Sequence, residues 1–425
     1  MNLVKLEKEE FIEFSKNYPN SLFFQSPYWI EIKKQNNWQG TIVGIKENNK
    51  IIAATVLLMK NIKGINKKMV YAPRGFLLDY SNLTLLTEFV ENLKVYLKKQ
   101  NALFLKINPY VKYQEHDING NEIEGTKNDT LINKLKELGF THQGFYITMD
   151  EKKDLEPRWL SVLDLDNKST DDIFKDMRAT TRWSIRNSEK NCLRVIEAER
   201  DDLKEFKALM KHTADRREFI DRPLSYYQNI YDVLSKEDLV KVLLVEINFK
   251  ELLEKTENEY QQLLDKIDKM KDNPKKQNQL KELQNETTSF EKRINDLKEY
   301  KDKYGDTKII AGGLYMLYGR QLVYLFGASY KEFMKYNSQY LLQWHMINYA
   351  KEHNYQTFNF YGIDGDFSKE SKNFGLFDFK RGFGAEVVEL IGEFDLVINK
   401  PMYKIYNLSF KCYKNLKNMK NHFKK

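Results

Sequence analysis

The sequence predicts an α/β protein of two similar tandem domains, the second interrupted by an antiparallel helical coiled-coil hairpin. Three observations carry this prediction: an internal repeat, a heptad seam confined to residues 249–304, and a composition suited to a globular fold. Hydrophobic residues make up 41% and charged residues 31% of the chain, enough apolar material for cores under a solvated surface. At 425 residues the chain is long enough for two domains with separate cores.

The repeat places Lys50-Ile51-Ile52-Ala53-Ala54 against Lys308-Ile309-Ile310-Ala311-Gly312. A strand-like run precedes each, residues 41–45 in the first copy and 240–247 in the second. A helical pattern and then a short strand follow each: residues 82–100 and 104–110 in the first half, 338–353 and 358–366 in the second. Two copies of strand–hairpin–helix–strand predict two α/β domains, over 1–155 and 156–389, with the segment 390–425 completing the first. Between the second copy's first two strands, Leu253, Thr256, Tyr260, Leu263, Ile267 and Met270 recur at alternating spacings of three and four. After Asp272-Asn273-Pro274 the pattern resumes at Leu280, Leu283, Thr287, Phe290, Ile294 and Leu297. That is a heptad seam on two helices joined by a turn, with arms of about 35–40 Å at ~1.5 Å per residue.

Charge and composition narrow the function. The net charge of +8 favours an anionic partner: nucleic acid, a phosphorylated substrate or an anionic membrane surface. The 26 tyrosines suit grooves that hold polar or sugar-like ligands, besides filling core. Two cysteines, Cys192 and Cys412, make no disulfide framework and fit a reducing cytoplasm. The first residues lack the apolar run of a signal peptide, and no stretch reaches the ~18–20 apolar residues of a membrane span, so membrane contact is expected to be peripheral, at the inner face. The end of the chain, 411–425, carries lysines and no acid, interleaved with Tyr413, Leu416, Met419 and Phe423. It reads either as a basic amphipathic end for an anionic membrane or as a solvated tail.

None of the six histidines stands at a metal-ligand spacing. There is no phosphate-binding G-x-x-x-x-G-K-[ST] loop and no G-x-S-x-G nucleophile elbow. The expected chemistry therefore uses a pre-activated acyl donor, with no metal, ATP or other cofactor. Attack of an amine on an ester needs positioning, proton removal and oxyanion stabilisation, and no protein nucleophile.

Five motifs in order carry a family resemblance. Phe23-Phe24-Gln25-Ser26-Pro27-Tyr28-Trp29, followed by Lys33, resembles the opening motif of the FemABX (Fem-type) peptidyltransferases. Phe379-Lys380-Arg381-Gly382-Phe383-Gly384 resembles their "FKxGFG" signature. Arg178, Arg182 and Arg186 match a basic helix, Arg222-Pro223-Leu224-Ser225-Tyr226 an "R-x-x-x-Y" element, and Tyr324 a "Y-x-x-G" strand end. The resemblance spans the chain, the heptad hairpin included. It implies two tandem GNAT-like acyltransferase domains and transfer of an amino acid from aminoacyl-tRNA to the stem peptide of lipid II or a soluble UDP-linked muropeptide, building the interpeptide bridge of the cell wall.

The resemblance also assigns residues. Lys33 and Arg222 match positions that hold the precursor's diphosphate, which suits a point charge and a guanidinium fork. Trp29, Tyr226 and Tyr324 fall among the substrate-binding positions. Lys380, with Phe379 beside it, is expected to bind the tRNA acceptor end and to stabilise the developing oxyanion. Arg182 and Arg186, in a row extended by Arg178, Lys175 and Lys190, are expected to share a helix face, either for tRNA phosphate contact or as a solvated basic face. One departure is Asn108, where many members have Asp. Asn cannot be a general base, so the position is read as structural. The hairpin resembles the arm of seryl-tRNA synthetase, but its mixed charges leave tRNA contact, a partner such as a related transferase, and plain rigidity all open. Two other functions stay open as well: aminoacyl-tRNA-dependent transfer to protein N-termini, and non-catalytic binding of muropeptides or RNA.

Overall fold

The computed structural model describes residues 2–149, 156–271 and 276–409. Its strands are β1 (Leu3–Lys5), β2 (Gln39–Glu47), β3 (Lys50–Asn61), β4 (Lys68–Ala72), β5 (Ala102–Ile107), β6 (Lys112–Glu115), β7 (Phe140–His142), β8 (Trp159–Asp164), β9 (Leu193–Glu197), β10 (Val240–Asn248), β11 (Thr307–Tyr318), β12 (Gln321–Ser329), β13 (Thr357–Ile363), β14 (Glu386–Leu390) and β15 (Phe394–Val397). They form two mixed sheets, ordered β1-β2-β3-β4-β5-β15-β7 and β6-β14-β8-β13-β12-β11-β10-β9.

The repeat holds down to its irregularities. β2, β3 and β4 pair antiparallel, and β4 then pairs parallel with β5 after the helix Leu83–Lys99. β10, β11 and β12 pair antiparallel, and β12 pairs parallel with β13 after the helix Ser338–Glu352. Each first hairpin also carries a bulge at the same place, between Ile45 and Lys46 and between Val245 and Glu246. Both units are α/β domains. In the first, the turn between β2 and β3 is Asn48-Asn49, both at positive φ (50° and 62°), a conformation asparagine tolerates. In the second, the helices Phe249–Asp268 and Gln277–Tyr304 replace that turn. Asn248 caps the first arm, its Oδ1 accepting from the Glu251 N–H at 3.0 Å. The Asp272-Asn273-Pro274 turn lies outside the described residues.

The two units are not cleanly divided at 155/156. β6 lies in the second sheet beside β14, whereas β15 lies in the first sheet between β5 and β7. The crossing is fixed by buried charge. The Glu389 carboxylate on β14 takes the Arg158 guanidinium of β8's leading edge and the His116 Nε2 at 2.6 Å. The largest apolar cluster also spans both units. It runs from Phe23, Phe24, Trp29 and Ile32 to Phe206, Tyr227 and Ile230, so the units pack through a shared cluster beside their own cores.

The hairpin is built in two parts. At its base Phe249, Leu252, Leu297 and Ile294 belong to the core of the second domain, with Tyr300 and Tyr304 packed on Phe333. Farther out Leu263, Met270, Leu280 and Leu283 form a separate cluster, and Tyr260 stacks on Phe290 at 5.9 Å. Excision of 258–291 behind a short loop is therefore expected to shift Tm by no more than about 4 °C. Removal of 249–306 outright strips buried leucines from the domain core and is expected to cost several kcal/mol, at ~2–5 kcal/mol for each large side chain lost. Thermal denaturation of the two deletions separates these outcomes.

Candidate active site

The opening motif is a device for holding Lys33. Phe23 and Phe24 are buried and meet the Trp29 ring edge-on at 5.3 and 5.1 Å. Gln25 ties the segment to the first sheet: its Nε2 donates to the Pro73 carbonyl at 2.6 Å and its Oε1 accepts from the Val56 N–H at 2.8 Å. Ser26 caps the helix Pro27–Lys34, accepting from the Trp29 N–H at 3.2 Å, and Pro27 takes the first helical position. One turn after Trp29, the Lys33 ammonium sits 4.3 Å from the centre of the indole ring. The Trp29 indole N–H is buried and has no acceptor among the described residues.

Facing Lys33 is the start of the helix Leu224–Leu234, fixed to the Lys33 helix by the Asn229 Nδ2, which donates to the Ile32 carbonyl at 3.0 Å. Arg222 stands before this helix, its guanidinium 5.7 Å from the Tyr226 ring centre, and Tyr226 meets Phe326 of β12 edge-on. The structure therefore brings Lys33, Trp29, Arg222 and Tyr226 together between the domains. Their charges are felt at Lys33. Burial lowers its pKa, the Glu156 carboxylate opposes that, and the Arg222 and Lys60 cations lower it further. A group of cations with a helix N-terminus beside it is built for a polyvalent anion.

Glu156 links this group to the rest of the site. Its carboxylate accepts from the Tyr361 hydroxyl. Low-polarity surroundings raise its pKa, against the pull of Arg74 and Lys33. Tyr361 lies within β13 at φ +65°, after a bulge, and stacks on Phe24 at 6.2 Å. The next carbonyl, Gly362, accepts from the Lys380 Nζ at 2.7 Å. Tyr361 and Gly362 thus link Glu156 to Lys380, and the Glu156 charge acts on Lys33.

Lys380 lies in the last turn of the helix Phe374–Arg381, and its side chain is 4% exposed, not presented on an open glycine turn. No carboxylate pairs with it among the described residues, and burial alone pulls its pKa from 10.5 to about 7. The signature's other residues set this position. Phe379 packs edge-on against Tyr340 and Phe383 at 5.0 and 5.3 Å, and Phe383 is fully buried. A Cβ on Gly382 would stand 2.4 Å from the Thr181 Oγ1, so the backbone approaches there only as glycine, and Gly384 takes φ +83°. β12 and β13 pair only from Gln321–Val323 to Thr357–Asn359 and then part.

Tyr324 falls elsewhere, and the arginine row is shorter than expected. Tyr324 faces the core of the second domain, not the Lys33 group. It is 9% exposed, donates to the Gln339 Oε1 at 3.0 Å and stacks on Tyr315 at 5.2 Å. The arginine row is broken, because the helix Ala179–Glu189 begins after Arg178, and Lys175 belongs to the separate helix Thr170–Asp176. Arg182 turns back to donate to the Lys175 and Met177 carbonyls, Arg178 pairs with Asp378 at 3.1 Å, and Arg186 lies 5.2 Å from the Phe174 ring centre. Between them Trp183 is 63% exposed, a flat apolar face that the sequence reading passed over. Asn108 is structural: its Oδ1 accepts from the Arg74 N–H at 2.9 Å and the Tyr71 hydroxyl at 3.2 Å. Residues 411–425, with their lysines, lie outside the described residues.

The FemAB family matches the chain over residues 6–411. The Aminoacyltransferase FemA of Staphylococcus epidermidis is 34% identical over 414 residues, covering 96% of this chain and 98% of FemA. That of Staphylococcus aureus is 33% identical over 415 residues, covering 96% and 97%. The crystal structure of FemX superposes with a TM-score of 0.77 at 30% identity, over 95% of this chain and 99% of FemX.

Proposed function

This chain belongs to the FemAB family and is an aminoacyltransferase, and from that premise we propose that it moves an amino acid from aminoacyl-tRNA to the stem peptide of a peptidoglycan precursor, building the interpeptide bridge. The observation that carries this reading is a cation group between the domains together with a buried lysine that has no counter-charge among the described residues. The acceptor's diphosphate sits at Lys33 and Arg222, with the start of the Tyr226 helix as a further donor. Its stem peptide runs towards the opening between β12 and β13. There the acceptor amine attacks the ester carbonyl carbon, and Lys380 stabilises the oxyanion and the acceptor-end phosphate. The terminal ribose oxygen leaves with a proton, and the amine loses one, in a transfer the tRNA's own neighbouring hydroxyl can relay. Phe379 gives an aromatic edge beside the terminal nucleoside, and Arg182, Arg186 and Trp183 offer a surface for the acceptor arm.

Transfer to a protein N-terminus would leave the cation group without a role, since such an acceptor carries no diphosphate. The deciding experiment incubates the purified protein with lipid II, or with the UDP-linked muropeptide, and a set of charged tRNAs, and reads the precursor by mass spectrometry. A mass increase of one amino acid is expected with one of them and names the donor. Transfer of label to a protein and to no precursor would sink this reading.

A further inference from the structure

The loop between the helix Leu203–Arg217 and the Tyr226 helix carries two apolar side chains into solvent. Ile220 is 59% exposed and Phe219 is 37% exposed. The preceding helix ends on Glu218 at φ +60°, and the Phe219 N–H closes onto the Ala214 carbonyl, so the loop leaves the helix in a fixed direction. A third apolar side chain, Met334, is exposed beside it, its Sδ 3.2 Å from the Arg216 Nη1. The loop's own acids are neutralised, Glu218 by Lys372 at 2.6 Å and Asp221 by Lys207. Lys211, Arg216 and Arg217, against Asp215, leave the stretch before the loop net cationic. Arg222, at the end of this loop, is also the guanidinium of the cation group.

We infer that the Phe219–Ile220 loop docks the protein on an anionic lipid bilayer, the two side chains entering the boundary between headgroups and acyl chains. The inference rests on the proposed reading in one respect, that the acceptor is lipid-linked. A diphosphate held at Arg222 then lies at headgroup level, and its hydrocarbon chain must leave the cleft past the residues next to Arg222. Exposed Phe and Ile flanked by cations fit that position: apolar atoms gain from the acyl boundary and cations from anionic headgroups. No helix among the described residues is long and apolar enough to cross a membrane, so this loop would bind at the interface without spanning. Two side chains give a reversible contact, which lets the enzyme move between precursor molecules.

Flotation of the full-length protein with precursor-free phosphatidylcholine vesicles containing about one third phosphatidylglycerol reads the contact alone. The wild-type protein is expected to float with these vesicles and less with pure phosphatidylcholine. A Phe219→Ser/Ile220→Ser double variant should lose roughly tenfold in bound fraction. Both side chains are exposed, so the double variant should keep wild-type transfer to a short-chain, water-soluble precursor. Equal flotation of the two proteins, or no flotation of the wild type, overturns the inference. So does wild-type self-association that the double variant abolishes, which would make the loop a protein contact. Flotation that depends on the loop, with no transfer by either protein to any precursor, would leave the docking surface standing and sink the lipid-linked acceptor.

Discussion

Replacement of Lys380 by Met is expected to make the protein more stable below neutral pH and nearly inactive. The stability half follows from linkage. The folded-state pKa is about 7 and the ordinary value is 10.5, so between these values the unfolded chain binds a proton that the folded chain does not. The folded state therefore gains stability as pH rises from about 7 to 10.5, and the penalty of the buried charge is complete below 7. At ~1.4 kcal/mol per unit of pKa, that penalty is of order 5 kcal/mol. Met removes it and leaves the Gly362 carbonyl without its donor, at a cost of ~1–3 kcal/mol. Urea denaturation should show the variant ahead by a few kcal/mol at pH 6 and level or behind at pH 10. The catalytic half is a loss of ~10²–10³-fold in kcat, the scale of one lost oxyanion donor. For the wild type, kcat/KM for aminoacyl-tRNA should fall as pH rises through about 7, because the charged amine does the work. A rise through that pH would instead make the neutral amine the general base and overturn its cationic role.

A sequence reading could find Lys380 but not its environment. Gly382 and Gly384 mark a close approach and a positive φ, which glycine alone accommodates, so the motif was visible one residue at a time. That the Nζ is buried depends on β13, and nothing in the sequence near Lys380 says so. The repeat and the hairpin were legible because periodicity is local: strands alternate, the seam recurs every three or four residues, and the KIIA segments share one environment. The placement of β6 in the second sheet was not legible, since a strand of four residues names no partner. Tyr324 failed for a related reason. β12 is covered on both faces, by the first domain on one and by the helix Ser338–Glu352 on the other, so alternation could not tell cleft from core. Glu156 and Tyr361 were missed because their meaning lies in a contact across some two hundred residues of sequence. Asn108 was read as structural from chemistry alone, because an amide cannot take a proton, and its two accepted hydrogen bonds agree.

The second large effect is expected at the cation group. Arg222→Ala and Lys33→Met should each raise KM for the lipid-linked precursor by roughly 10–100-fold with kcat little changed. A hydrogen bond to a charged group contributes ~1.5–3 kcal/mol, and the diphosphate is held alike in ground and transition states. The pH dependence separates the two residues. Lys33 has a lowered pKa because it is buried and shares its surroundings with Arg222 and Lys60, with only Glu156 opposing. A bound diphosphate reverses that balance, so binding should draw a proton onto Lys33, and precursor affinity should weaken as pH rises through the lowered pKa of the free enzyme. Arg222→Ala keeps Lys33 and should therefore keep that slope. Isothermal titration in buffers of different ionisation enthalpy measures the proton uptake directly. The wild type and Arg222→Ala should show it above neutral pH, and Lys33→Met should not. If all three take up the same number of protons, Lys33 is not the group that meets the diphosphate, and Glu156, whose pKa is raised, becomes the group to replace next.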